Sequence, residues 1–121
     1  MKTIKIPHVE NLYFAELGKQ IDFEIKRVFF VANFTGHRGG HANLKVQEYV
    51  FVTKGAVRFT LEKDGKKETI VLDTIDTGLF IGEKTWIDIE SVEDESTYVV
   101  LANSIYNRAD YVNTYEEFKK L

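Results

Sequence analysis

Hydrophobic positions along the chain recur mostly with a period of two, in short runs separated by glycine, aspartate and lysine. Residues 28–34 (VFFVANF) are apolar, aromatic or β-branched and predict a strand. The stretch Thr35-Gly36-His37-Arg38-Gly39-Gly40 that follows carries a loop signal. Residues 47–53 (QEYVFVT) predict a strand that Lys54-Gly55 closes. In residues 56–62 (AVRFTLE), Val57, Phe59 and Leu61 share one face and Arg58, Thr60 and Glu62 the other, as in a half-buried strand. Lys63-Asp64-Gly65-Lys66 then predicts a tight hairpin turn into a returning strand at 68–72. Further strands are expected at 78–81, 85–89 and 97–102. The last contains TYVVLA, which lacks polar alternation and predicts a central strand buried on both faces. Near the C-terminus the period changes. Tyr111, Tyr115 and Phe118 form one helical stripe, with Asp110 as N-cap and Lys119 and Lys120 in the last turn. Many short strands at regular spacing make the chain all-β, a sandwich, jelly roll or barrel with a short C-terminal helix.

Composition narrows the setting. The 121 residues amount to about one domain, 1–121, with no linker or internal repeat. A chain of this length buries a core without disulfides or a structural metal. The absence of cysteine excludes disulfides, zinc–thiolate sites and thiol catalysis, and it fits a cytoplasmic setting. The N-terminus MKTIKIPHVENLYF has no signal-peptide h-region, and no apolar run nears the ~18 residues of a membrane span. Net charge is −3 with lysine and glutamate interspersed, so neither nucleic acid nor membrane is an expected partner.

The chemistry concentrates in RGGHANLKVQEYVFVTKG, with His41, Asn43, Glu48 and Gly55 spaced H-x-N-x4-E-x6-G. Transition metals want three or four imidazole, carboxylate or thiolate donors. His41 and Glu48 supply two, Asn43 is a weak neutral donor, and no metal is expected. His41 without a metal is a proton shuttle, since imidazole titrates near neutrality. On a strand Asn43 shares its face and would touch the same ligand. Arg38 in its glycine loop suits a phosphate, and the glycines allow close backbone approach. The bland alternative is a surface loop with an incidental histidine. Lys45, Glu48 and Tyr49 complete the candidate contacts. Trp86 would line the barrel and stack on a base or sugar, though a lone tryptophan is more often core. His8 and His37 are expected to be solvated.

The H-x-N-x4-E-x6-G spacing resembles the first motif of the cupins, whose H-x-H-x(3–4)-E-x6-G places metal ligands inside a small jelly roll. Four segments sharpen the resemblance: IDFEIKRVFFVANF, RGGHANLKVQEYVFVTKGAV, GLFIGEKTWIDIE and YVVLANSIYNRADYVNTYEEFKK. In this order, over nearly the whole chain, they are similar to the sugar 3,4-ketoisomerases of dTDP-linked sugars, the WxcM C-terminal-like cupins. The resemblance implies a cupin-type jelly-roll barrel. It implies conversion of dTDP-4-keto-6-deoxyglucose to a 3-keto isomer, through an enediol and without redox cofactor or metal. The product would feed an aminotransferase in amino-sugar and surface-polysaccharide biosynthesis. It also implies His41 as base, Arg38 as a binding residue, and a homodimer that exchanges N-terminal strands, here residues 2–6.

The chain departs from that family in three places. Asn43 stands at its second histidine, Trp86-Ile87-Asp88 replaces its W-H-E, and Phe29 and Phe30 replace its paired tyrosines. One base must then make both proton transfers, or Tyr49, Glu48 or His8 must help. The competing expectations are a catalytically weakened nucleotide-sugar binder, a related nucleotide-sugar epimerase and a metal-dependent cupin enzyme.

Overall fold

Alternation along the strands becomes two faces in space. The computed structural model describes residues 2–121. Its strands are β1 (Lys2–Lys5), β2 (His8–Val9), β3 (Leu12–Tyr13), β4 (Arg27–Phe34), β5 (His37–Asn43), β6 (Glu48–Lys54), β7 (Val57–Lys63), β8 (Lys66–Leu72), β9 (Thr77–Ile81), β10 (Trp86–Ser91), β11 (Ser96–Ala102) and β12 (Tyr111–Val112). The helix α1 is Tyr115–Lys119. One antiparallel sheet has the order β1-β9-β6-β11-β4, the second β12-β5-β10-β7-β8, and β2 and β3 form a small hairpin. This is an all-β jelly-roll barrel of the cupin type with a short C-terminal helix.

Both sheets turn one face to a common core. Val50, Leu79 and Val100 come from the first sheet, and Val57, Phe59 and Ile87 from the second. The predicted face of Val57, Phe59 and Leu61 is buried there. The Asp64-Gly65 turn adopts φ of 52° and 77°, the paired positive values of a type I′ hairpin.

Four expectations need correction. The stretch 35–40 is no simple loop, because β5 begins at His37. The helix starts at Tyr115, with Thr114 as N-cap, its hydroxyl accepting from the Glu117 amide. Asp110 is not a cap: its carboxylate accepts from the Lys45 amide and the Asn43 side chain, and Tyr111 lies in β12. β11 alternates between fully and partly buried positions, since its outer face is only partly covered by the N-terminal segment. At the edge of the first sheet β1 pairs antiparallel with β9, Lys2 opposite Phe80.

Candidate active site

Regular strand geometry would send Arg38 and His41, three residues apart, to opposite faces. A bulge prevents this. Along β10, Ile87 lies opposite His41, Asp88 opposite Gly39 and Ile89 opposite Arg38, so Gly40 is the extra residue. Ile87 and Ile89 both point into the core, and Arg38 and His41 therefore both turn inward. Gly39 and Gly40 take φ of 95° and 73°, which suits glycine. Gly39 also lies hard against β10, where a Cβ would sit 2.6 Å from the Ile87 carbonyl oxygen.

The inward side chains border a cavity of about 250 Å³ between the two sheets. Arg38, His41 and Tyr111 line it from one sheet, and Glu48 and Tyr98 from the other, among apolar neighbours that include Phe29, Phe59 and Ile87. Burial lowers the His41 pKa below 6.5, and Arg38 adds to the fall. The Gly39 carbonyl accepts from the imidazole and, with the Asp88 charge, opposes that fall. An imidazole tethered through one N–H presents its other nitrogen as a base. The His41 ring packs on Tyr111 at 5.3 Å. Burial pushes the Glu48 carboxyl up to about 7; the Arg27 charge opposes this and Asp110 reinforces it. Burial likewise raises the Tyr98 hydroxyl, against the Arg38 guanidinium that donates to it. A base, a cation and a protonatable acid thus meet in one small, largely apolar cavity. Among the described residues, no three of His, Cys, Asp or Glu converge to hold a metal.

All of residues 1–121 match the FdtA family, described as WxcM-like, C-terminal. The chain belongs to this family. It is 31% identical over 112 residues to a TDP-4-oxo-6-deoxy-α-D-glucose 3,4-oxoisomerase of Aneurinibacillus thermoaerophilus, covering 91% of this chain and 81% of that protein. Its structure is similar to a TDP-quinovose 3,4-ketoisomerase from Campylobacter jejuni, with a TM-score of 0.93, 27% identity and coverage of 99% and 97% of the two chains. It is also similar to a double mutant of a Thermoanaerobacterium thermosaccharolyticum 3,4-ketoisomerase in complex with TDP. That pair has a TM-score of 0.90, 25% identity and coverage of 97% and 89%.

Other candidate residues of this family member lie elsewhere. Asn43 is buried, and its amide donates to Asp110 at 3.1 Å instead of lining the cavity. Lys45 is exposed and lies outside the cavity lining; its backbone amide donates to Asp110 at 2.9 Å. Tyr49 follows Glu48 directly and so points the opposite way, behind the first sheet, where its hydroxyl donates to Asp22 at 2.8 Å. Trp86 points outward for the same reason that Ile87 points inward, and it packs against Phe118 of α1. His37 also faces out, 3.4 Å from Asp88. His8 stacks on Tyr13 in the β2–β3 hairpin. The sequence reading missed Tyr98 and Tyr111 as cavity residues. Strand parity with Val100 would have found Tyr98, whereas Tyr111 was hidden in a helical stripe.

Proposed function

We propose that this chain interconverts the 4-keto and 3-keto forms of a TDP-linked 6-deoxyhexose, with His41 as the base. The observation that carries this is the Gly40 bulge, which puts an imidazole and an arginine on the same wall of one cavity. His41 takes the proton from C3, and the C–H electron pair forms the C3=C4 bond of an enediol as O4 gains a proton. Loss of the O3 proton and protonation of C4 then give the 3-keto isomer. Carbon 4 is reduced as carbon 3 is oxidised, so no external redox partner is required. A cavity of about 250 Å³ is smaller than the usual ~300–1,000 Å³ ligand site. It suits the hexose alone, with the diphosphate passing Arg38 at the mouth, where a guanidinium binds phosphate oxygens well. A 3-keto product is the kind of carbonyl an aminotransferase consumes, in keeping with amino-sugar biosynthesis.

The chain is incubated with TDP-4-keto-6-deoxyglucose in deuterium oxide, and the sugar is followed by NMR. The expected outcome is a 3-keto product carrying deuterium at the carbon next to its ketone, with His41→Ala losing about 100-fold or more in rate. Binding without deuterium entry would show a nucleotide-sugar binder and overturn the proposal. A homodimer is part of the same proposal. Val28 and Phe30 stand 50% and 67% exposed on the outer face of β4, an apolar pair that a second copy would cover. Sedimentation equilibrium at the monomer mass would remove that part.

A further inference from the structure

We infer that Glu48 is a second catalytic residue of this reaction, moving the protons on the sugar oxygens from the sheet opposite His41. The inference rests on the isomerase reading above and adds to it a residue and a division of labour.

The isomerisation moves four protons between the sugar and its surroundings. Carbon 3 loses one and carbon 4 gains one; oxygen 4 gains one and oxygen 3 loses one. An imidazole on one face of the ring serves the carbons. The oxygens need a group that first gives a proton and then takes one back, leaving the enzyme unchanged at the end of the cycle. The geometry narrows the candidates. Asn43 is engaged by Asp110, and an amide transfers no proton under these conditions. Tyr49 is bound to Asp22 behind the sheet, and His8 lies in the β2–β3 hairpin away from the cavity. Arg38 lines the cavity but stays charged. Tyr111 packs on the His41 ring from the same sheet as His41.

Glu48 is different in position and surroundings. It opens β6 in the first sheet, while His41 lies on β5 in the second, so the cavity separates them. The two side chains thus border the same cavity from facing sheets. The residue is 7% exposed. Arg27 of β4 is the cation whose charge favours its ionisation, yet that guanidinium lies over the Phe29 and Tyr106 rings, at 5.2 and 5.9 Å, and forms no ion pair with Glu48. Asp110 before β12 opposes its ionisation, and Tyr98 of β11, Arg38 and His41 of β5 and Tyr111 of β12 complete the groups around the cavity. A buried carboxyl with no fixed partner among the described residues is costly unless it works. Held at about 7, it is present near neutrality both as donor and as acceptor.

Glu48→Gln keeps size and polarity and removes proton transfer. With TDP-4-keto-6-deoxyglucose, kcat is expected to fall about 100-fold or more while KM stays close to that of the native enzyme. The alkaline limb of the pH–rate profile is expected to vanish from the residual activity, and Glu48→Asp to restore part of the rate. A Glu48→Gln enzyme with native kcat, or with its alkaline limb intact, would overturn the inference. A structural role would lower the melting temperature and leave the limb in place. Infrared titration of the free protein supplies an arm independent of substrate. A protonated-carboxyl band that disappears between about pH 6 and 8, and is absent from Glu48→Gln, supports the inference. If Glu48 is already ionised at about pH 5, it falls. Should the native chain leave that sugar untouched, the substrate reading fails, and the infrared arm still decides the state of Glu48.

Discussion

Arg38 and His41 face the same cavity because Gly40 is one residue too many in β5. Deleting Gly40 restores a regular register and moves one of the two to the outer face. The expected result is a folded protein with turnover reduced by about 100-fold or more, the usual scale for a misplaced catalytic group. Circular dichroism and the NMR turnover assay check the two halves of that statement.

Gly39 and Gly40 should differ in tolerance although both have positive φ. A Cβ at Gly40 meets nothing within 4 Å, whereas at Gly39 it meets backbone atoms of Ile87 and Asp88. Gly40→Ala is expected to cost about 1–2 kcal/mol, the left-handed penalty alone. Gly39→Ala should cost more, because β5 must also move away from β10. Chemical denaturation of the two variants orders them; equal costs would contradict the close approach.

Asn43 ties β5 to the residue before β12. Asn43→Ala leaves one oxygen of the buried Asp110 carboxylate without its donor at 3.1 Å. A stability loss of about 1–3 kcal/mol is expected, seen as a lower melting temperature. KM for the sugar is expected to change little, since Asn43 does not line the cavity.

The long strands were legible because inner and outer faces of a barrel impose a period of two, as in Val57, Phe59 and Leu61; of their pairing only the 63–66 hairpin was. The same rule separates Glu48 from Tyr49 and Trp86 from Ile87, and applying it to those neighbours would have removed Tyr49 and Trp86 from the cavity. Spacing singled out His41 and Arg38 as candidates, but not their shared direction, since a bulge is a mismatch between two strands and only one is visible in a local window. Asp110 looked like a cap because aspartate commonly caps helices; its use by residues 43 and 45 is a long-range contact that local patterns do not encode.

Trp86 is expected to matter for stability rather than for the sugar. It packs on Phe118 and Tyr115, and its indole N–H donates to Asp88 at 3.2 Å. Trp86→Phe should cost about 1 kcal/mol for the lost hydrogen bond, with kcat and KM unchanged. A raised KM without loss of stability would place the indole against the ligand instead.

The pH–rate profile is expected to be a bell. His41 must be neutral to accept a proton, and burial lowers its pKa, so the acid limb lies below pH 6.5. Glu48 must be protonated to donate, so rate falls as pH rises through about 7. His41→Ala removes the acid limb and Glu48→Gln the alkaline one. A flat profile between pH 5 and 8 (roughly the window of these two groups) would contradict both assignments.

Glu48 should also shape stability. Its carboxyl titrates near 4.5 in the unfolded chain and about 7 in the folded one. Between those values the native state holds more protons than the unfolded state, so stability falls as pH rises. The favourable contribution is complete below pH 4.5 and is lost as pH passes through about 7. Glu48→Gln carries no such dependence. Relative to the native chain, the variant should gain about 1–3 kcal/mol between pH 5 and pH 8, the scale of a shift of this size. Melting temperatures at the two pH values measure this, and a difference that does not widen would mean that Glu48 is solvated in the folded state. The same burial that makes the residue costly at high pH keeps a proton on it near neutrality, so stability and proton-donating power should move in opposite directions.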